Sequence, residues 1–148
     1  MTPWSTIVVG TDGSETAARA VTHAAELAAA TDASLVVVTA YPEGGDETRN
    51  TGSVPADMEW ALTASAGAEE LARAGVERAT EAGARSVRAR TGRGEPVTVL
   101  LQVADETDAD LIVVGSKGMT SASRFITGSV PNTLSHHANR DVLIVRTD

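Results

Sequence analysis

Five strand-like segments, separated by longer helical stretches, constrain the fold of this chain more than any other feature. Three of the five are apolar throughout, and in order they are Thr6–Gly10, Ser34–Ala40, Ser86–Arg90, Asp110–Gly115 and Asp141–Arg146. Continuous runs of Val, Ile and Leu must be covered on both faces, which is typical of a parallel sheet between helices. Ser86–Arg90 alternates between apolar and polar residues instead, which predicts an edge strand with one face in water.

Helical periodicity fills the intervals between these segments. Ser14 is a predicted N-cap, and Gly83 is predicted to end a helix over Met58–Ala82. Pro96 suits the first turn of a third helix. The buried faces predicted for the four helices are, in turn, Ala17, Val21, Ala24 and Ala28; Ala64, Ala68, Leu71, Gly75 and Ala79; Val97, Leu100, Leu101 and Ala104; and Val130, Leu134 and Ala138. The alternating order predicts an α/β domain with right-handed crossovers.

The length of 148 residues predicts one domain over residues 1–148, and a hydrophobic content of 42% excludes intrinsic disorder. Pro42–Pro55 is rich in Gly, Pro and polar residues and predicts a mobile connection. The chain has no cysteine, which excludes a disulfide framework, a thiolate metal site and a cysteine nucleophile.

The charge balance limits the classes of partner. Twenty acidic against 12 basic residues give a net charge of −8, which disfavours binding to nucleic acid or to an anionic membrane. No apolar stretch approaches the roughly 20 residues of a membrane span, and Met1–Trp4 has no basic region of a signal peptide. We therefore expect a cytoplasmic protein.

A glycine pattern follows the fourth predicted strand. Gly115, Gly118 and Gly128 have the spacing G-x2-G-x9-G, and Ser129 comes next. Lys117, the single lysine of the chain, lies within this pattern, and Arg124 lies in the same loop. Glycines let backbone N–H groups approach a ligand, and a helix N-terminus attracts anions, so the pattern predicts a phosphate site.

A simpler interpretation of the same residues remains open at this point. Short glycine patterns are weak signals, and these glycines could mark turns while Ser129 caps a helix. The P-loop pattern G-x-x-x-x-G-K-[ST] does not occur in the chain. Gly92-Arg93-Gly94 lacks the third glycine of a dinucleotide-binding fingerprint, so both nucleotide-binding classes are disfavoured.

The chain resembles the universal stress protein family. Residues 115–129 match that family's nucleotide-binding motif, G-2x-G-9x-G-[S/T], in full, and Val9–Ser14 resembles the family's opening segment. Asp110–Gly115, Gly128–Val130 and Asp141–Val145 extend the similarity over essentially the whole chain. The resemblance implies a three-layer fold around a five-stranded parallel sheet of order 3-2-1-4-5 with four helices.

The resemblance also implies ligand-binding roles, carried over position by position. An adenine nucleotide is expected, with its ribose or a Mg2+-bound phosphate at Asp12 and its neighbours, and its base at the Ala40 backbone and Val114. Gly115, Lys117 and Gly118 would line the ribose and phosphates, and Gly128, Ser129 and Val130 would hold the phosphates from the helix N-terminus. The implied nucleotide-binding residues are Gly10, Thr11, Asp12, Ala40, Val114, Gly115, Lys117, Gly118, Arg124, Gly128, Ser129 and Val130. Pro131 departs from relatives that offer a backbone N–H there.

Three functions follow from this resemblance, in order of preference. The first is a universal stress protein that binds ATP, AMP or cyclic AMP as a sensor or reservoir. The second is a slow ATPase, or an enzyme that phosphorylates its own Ser129 or Ser121, and the third is a nucleotide-independent protein-interaction module. The resemblance further implies a homodimer formed by antiparallel pairing of the Asp141–Arg146 edge strand.

Overall fold

The computed structural model describes residues 4–42, 54–116 and 129–147, with the backbone alone for 54–63 and 129. In chain order the strands are β1 (Thr6–Gly10), β2 (Ser34–Tyr41), β3 (Ser86–Arg93), β4 (Leu111–Gly115) and β5 (Asp141–Val145). All pairings between neighbours are parallel, and the strand order is β3-β2-β1-β4-β5. The predicted sheet order is therefore confirmed.

Helices cover both faces of the sheet. They are α1 (Glu15–Thr31), α2 (Val54–Glu81), α3 (Pro96–Thr107) and α4 (Ser129–His137). One apolar cluster lies between the sheet and α1 with α2, and a second lies between the sheet and α3 with α4. Adjacent β1 residues point to opposite faces, so Val9 belongs to the first cluster and Val8 to the second.

Most predicted helix faces are buried as expected, and local signals mark the helix ends. All four alanine and valine positions predicted for α1 are buried. The Ser14 hydroxyl accepts a hydrogen bond from the Ala17 N–H at 3.1 Å, as an N-cap does. Gly83 has φ +114° after the end of α2, the left-handed conformation that favours glycine.

The element bounds differ from the predictions at several places. Strand β2 ends one residue later than predicted, at Tyr41, and β5 one residue earlier, at Val145. Helix α2 begins at Val54 rather than Met58, which includes part of the segment predicted as a connection; residues 43–53 lie outside the described residues. Strand β3 continues to Arg93 because Thr91-Gly92-Arg93 pairs with the end of β2. Strand β4 begins at Leu111, since the Asp110 carboxylate accepts hydrogen bonds from backbone N–H groups preceding and opening β1.

Two predicted helix faces need correction. Leu71 of α2 was predicted to be buried but is 38% exposed, and Ala72 takes the buried position beside it. In α3 the buried residues are Val99, Leu100, Val103 and Ala104, while Val97 and Leu101 are half-buried. The predicted positions Ala68 and Ala79 of α2, and Leu100 and Ala104 of α3, are buried as expected.

Candidate functional site

The connections that follow two neighbouring parallel strands leave to opposite faces of the sheet, which creates a crevice at the carboxyl ends of the strands. Strand β1 is followed by α1 on one face, whereas its neighbour β4 leads to α4 on the other face. Val9 pairs with Val113, so Gly10 and Val114 are the next residues along the two strands. In open parallel sheets such a switch point is where ligands bind. We use the term crevice for the space at the carboxyl ends of β2, β1 and β4.

The loop from β1 to α1 is fixed by short hydrogen bonds between its own residues. The Thr11 N–H donates to the Val38 carbonyl at 2.9 Å, which extends the pairing of β1 with β2 by one residue. The Thr11 hydroxyl accepts from the Gly13 N–H at 3.1 Å, and the Asp12 carboxylate accepts from the Ser14 N–H at 2.9 Å. The loop therefore holds the partly exposed Asp12 at the start of α1.

Two glycines of the crevice allow close packing of other elements. A Cβ on Gly10 would lie 3.1 Å from Leu100 of α3, and one on Gly115 would lie 3.0 Å from the Thr147 methyl group. Both distances are tighter than ordinary van der Waals contact. Packing alone therefore accounts for glycine at these two positions, whether or not a ligand also approaches them.

The end of β4 is tied to the segment that follows β5. The Ser116 N–H donates to the Val145 carbonyl at 2.7 Å, and the Thr147 N–H donates to the Ser116 hydroxyl at 3.2 Å. The Arg19 guanidinium of α1 donates to the Thr147 carbonyl at 2.9 Å. These bonds fix the direction in which the chain leaves β4.

Helix α4 begins at Ser129, directly after that loop. The Val130 side chain is 2% exposed and packs in the cluster beneath α3 and α4, so only its backbone could face a ligand. Pro131 is buried and lies in the first turn, where a missing N–H is tolerated. The first N–H groups of a helix have no partners within it, which suits an anion.

The structure brings together some of the predicted binding residues at the carboxyl ends of neighbouring strands. Those at the carboxyl ends of β1, β2 and β4 are Gly10, Thr11, Asp12, Ala40, Val114 and Gly115. Val114 is fully buried in the core, and Ala40 is half-buried. Lys117, Gly118, Arg124 and Gly128 lie outside the described residues.

Comparison with known proteins assigns the chain to a family. The sequence model of the universal stress protein family matches residues 3–146. The chain belongs to the universal stress protein family. The universal stress protein Rv1636 of Mycobacterium tuberculosis (strain ATCC 25618 / H37Rv) is 41% identical over 147 residues, which cover 99% of each chain.

Two similar solved structures contain adenine nucleotides. A universal stress protein in complex with cAMP is 36% identical to this universal stress protein, with 98% of each chain covered and a TM-score of 0.72. The universal stress protein from Archaeoglobus fulgidus in complex with dAMP is 26% identical, with 98% of this chain and 100% of that chain covered and a TM-score of 0.69.

Acidic residues of this universal stress protein do not assemble a metal site in the described part of the chain. No group of three or more His, Asp and Glu side chains that could hold a metal is found among those residues. A Mg2+ ion at Asp12 would therefore need ligands from a bound phosphate, which is a usual arrangement for this cation.

None of the helices in the described residues has the length and the apolar character of a membrane span.

Several residues beside the crevice were not predicted from the sequence. Leu71 covers Gly13, while Leu100 contacts Gly10 from the opposite face of the sheet. Thr147 and Arg19 fix the end of β4. The only sequence signal for Leu71 and Leu100 is their place in a helical repeat of apolar residues. Thr147 has no such signal, because its role depends on its distance from Gly115 in the fold.

Proposed function

We propose that this universal stress protein binds an adenine nucleotide in the crevice, as a sensor or reservoir in a stress response. The observation that carries the proposal is the switch point between β1 and β4, with the N-termini of α1 and α4 following those strands. The complexes of two relatives with cAMP and dAMP support an adenine nucleotide as the ligand class.

The chemistry of the crevice residues fits the parts of a nucleotide. Asp12 with Gly10 and Thr11 would bind ribose hydroxyls or a Mg2+-bound phosphate, because a carboxylate accepts hydrogen bonds from hydroxyl groups and binds hard cations. The Ala40 backbone would bind the adenine edge, and Val114 would support the base from the core. The phosphates and the remaining ribose contacts are assigned to Gly115, Lys117, Gly118, Arg124, Gly128, Ser129 and Val130.

The net charge of −8 does not prevent the binding of an anionic nucleotide in the crevice. At physiological salt, fields from exposed carboxylates are screened over about 8 Å. The local groups would decide the binding of phosphate, and these are backbone N–H groups, Lys117 and Arg124.

Isothermal titration calorimetry with ATP, AMP and cyclic AMP tests the proposal, with GTP as the control for base recognition. We expect measurable heat with at least one adenine nucleotide and weaker binding of GTP. The absence of heat with all three adenine nucleotides would contradict the proposal.

A matched pair of glycine variants tests where the phosphates bind. Gly128→Leu should abolish the heat of binding, because a large side chain at the start of α4 would block the phosphates. Gly67→Leu is the control, since Gly67 is an exposed position of α2 where an added Cβ meets nothing within 4 Å. If Gly128→Leu binds as tightly as Gly67→Leu, the phosphates bind elsewhere.

Incubation of the purified protein with ATP and Mg2+ distinguishes a binding protein from an enzyme. We expect no more than slow release of phosphate. A mass increase of about 80 Da on the chain would indicate self-phosphorylation, with Ser129 and Ser121 as the first sites to examine.

We further propose a homodimer formed through the Asp141–Arg146 edge strand. Leu143 and Ile144 of β5 are 38% and 43% exposed, and an exposed apolar edge strand favours pairing with another strand. Size-exclusion chromatography with light scattering should show a dimer of the 15.2 kDa chain. Ile144→Glu should give a monomer, whereas Ala66→Glu on the exposed side of α2 should not change the mass.

A further inference from the structure

The two edges of the sheet differ in chemistry. At one edge β5 exposes Leu143 and Ile144, whereas at the other edge β3 exposes arginines. Residues 85–94 contain four arginines and no acidic residue, in a chain with 12 basic residues and a net charge of −8. Arg73 of α2 lies beside the same edge, where it pairs with Glu70 of its own helix at 3.7 Å.

The outer edge of β3, the last strand of the described sheet, offers backbone hydrogen-bonding groups at alternate residues. The Gly94 N–H donates to the Tyr41 carbonyl of β2 at 2.8 Å, so even-numbered residues of this strand direct their backbone groups toward β2. Successive residues of a strand direct these groups to opposite sides. The N–H and carbonyl groups of Val87, Ala89, Thr91 and Arg93 therefore point away from the sheet.

A groove of about 510 Å³ runs beside this edge, between α2 and β3. Its walls include Glu69, Arg73 and Val76 of α2 and Ala89 and Thr91 of β3. The backbone groups of Ala89 and Thr91 are among those that point outward, so a polypeptide in this position could pair with β3 while its side chains contact α2.

Two of the edge arginines are available for a partner. Arg85 pairs with Asp32 at 3.0 Å and Arg90 pairs with Glu106, whereas Arg88 and Arg93 have no ion-pair partner among the described residues. Charged residues on an edge strand discourage pairing with a like strand. Antiparallel pairing of two β3 strands would bring Arg88 and Arg90 close to their own copies, so this edge disfavours self-association and favours an acidic segment.

We propose that the β3 edge binds an acidic, extended polypeptide segment of a partner protein, which adds to the sheet as a sixth strand. Backbone hydrogen bonds to the outward groups of Ala89 and Thr91 would provide the pairing, and Arg88 and Arg93 would favour acidic side chains. This interaction surface is at the edge of the sheet remote from β4 and does not depend on nucleotide binding.

Fluorescence anisotropy with a labelled peptide of alternating Glu and Val tests the proposal on the full chain. Binding should be saturable and should weaken as salt is raised. Arg88→Glu combined with Arg93→Glu should weaken binding by about tenfold or more. Arg78→Glu, compared with Arg88→Glu alone, is the control with the same change of net charge, because the Arg78 guanidinium donates to the Thr22 hydroxyl of α1 and does not line the groove.

Backbone pairing is tested separately from charge. The same peptide with alternate N-methylated residues, made in both registers, should bind about tenfold more weakly in one register. Ala89→Pro should have a similar effect, since it removes an outward N–H and leaves the pairing with β2 intact. The N-methylated peptides leave the protein unchanged, so the test remains valid if the proline variant does not fold.

Three results would overturn the proposal. The unmodified peptide could fail to bind, which would indicate that the arginines only protect the edge. Both N-methylated peptides could bind as tightly as the unmodified one, which would indicate attraction by charge without strand pairing. A single-stranded oligonucleotide of the same length could bind more tightly than the peptide, which would indicate a nucleic-acid surface instead.

Discussion

Leu71 of α2 lies directly over Gly13 in the loop from β1 to α1. A Cβ built on Gly13 would be 2.5 Å from the Leu71 Cδ2 atom, and Gly13 has φ +84°. The loop that holds Asp12 is thus restricted from two sides, by the backbone conformation of Gly13 and by a side chain of a different element. Leu71 is also the α2 residue that the helical pattern wrongly assigned to the core.

Gly13→Ala should destabilise the protein for two separable reasons. The left-handed conformation costs a non-glycine residue about 1–2 kcal/mol, and crowding against Leu71 should cost a further 1 kcal/mol or so. In the Leu71→Ala background the crowding should disappear while the conformational cost remains. A double-mutant cycle by urea denaturation measures the difference. Equal effects of Gly13→Ala in both backgrounds would show that Leu71 does not restrict the loop.

Thr39 on β2 has a hydroxyl without a hydrogen-bond partner among the described residues, although the residue is 3% exposed. Thr39→Val should therefore raise the free energy of unfolding by about 1 kcal/mol, because a buried unpaired hydroxyl is unfavourable. Thr11→Val is the matched control. Thr11 is equally buried, but its hydroxyl accepts from the Gly13 N–H, so this variant should be destabilised by about the same amount.

Chemical denaturation of the two variants checks the opposite signs. If Thr39→Val is destabilised as Thr11→Val is, the Thr39 hydroxyl has a partner in solution, such as a buried water molecule.

Apolar runs and helical periodicity were sufficient to predict the strands and helices, and the family resemblance was needed for the strand order. The core strands were predictable because helices cover both of their faces, so their residues, such as Val8, Val36 and Ile112, are apolar. Leu71 was misassigned because periodicity gives the direction of a helix face but not its width. Strand β3 was predicted too short because Thr91-Gly92-Arg93 is turn-like in composition, whereas pairing with β2 keeps it extended.

Contacts that join distant parts of the chain could not be predicted from the sequence. In the structure Asp105 pairs with Arg140 at 2.6 Å, Glu106 pairs with Arg90, and Asp110 connects β4 to β1. Each contact joins residues that are distant in the chain, and local sequence patterns carry no information about such pairs.

Asp110 should make stability depend on pH in the acid range. Its carboxylate accepts hydrogen bonds from the Ser5 N–H at 2.8 Å and the Thr6 N–H at 3.1 Å, and these bonds lower the pKa of Asp110. Because the pKa is lower in the folded than in the unfolded state, the stabilisation is present above the unfolded value of about 3.9. It is lost as the pH falls through the lower folded value.

Asp110→Asn keeps an oxygen that can accept both bonds but removes the charge. The free energy of unfolding should therefore be lower than that of the wild type at pH 7, by about 1 kcal/mol, and the difference should shrink toward pH 2. Glu26→Gln, at an exposed position of α1, is the control and should show a smaller difference at pH 7. A wild-type advantage that stays constant from pH 7 to pH 2 would contradict a role for the ionised carboxylate.

Gly115 offers a way to separate packing from ligand binding at the end of β4. Gly115→Ala should destabilise the protein by about 1 kcal/mol, since the new Cβ would lie 3.0 Å from the Thr147 Cγ2 atom. Thr147→Ser removes that methyl group and keeps the hydroxyl that bonds to Ser116, so the cost of Gly115→Ala should fall in this background. If Gly115 also lines the proposed nucleotide site, the loss of nucleotide affinity should be the same in both backgrounds. Urea denaturation and calorimetry on the four proteins measure the two effects, and an affinity that recovers together with stability would show that Gly115 acts through packing alone.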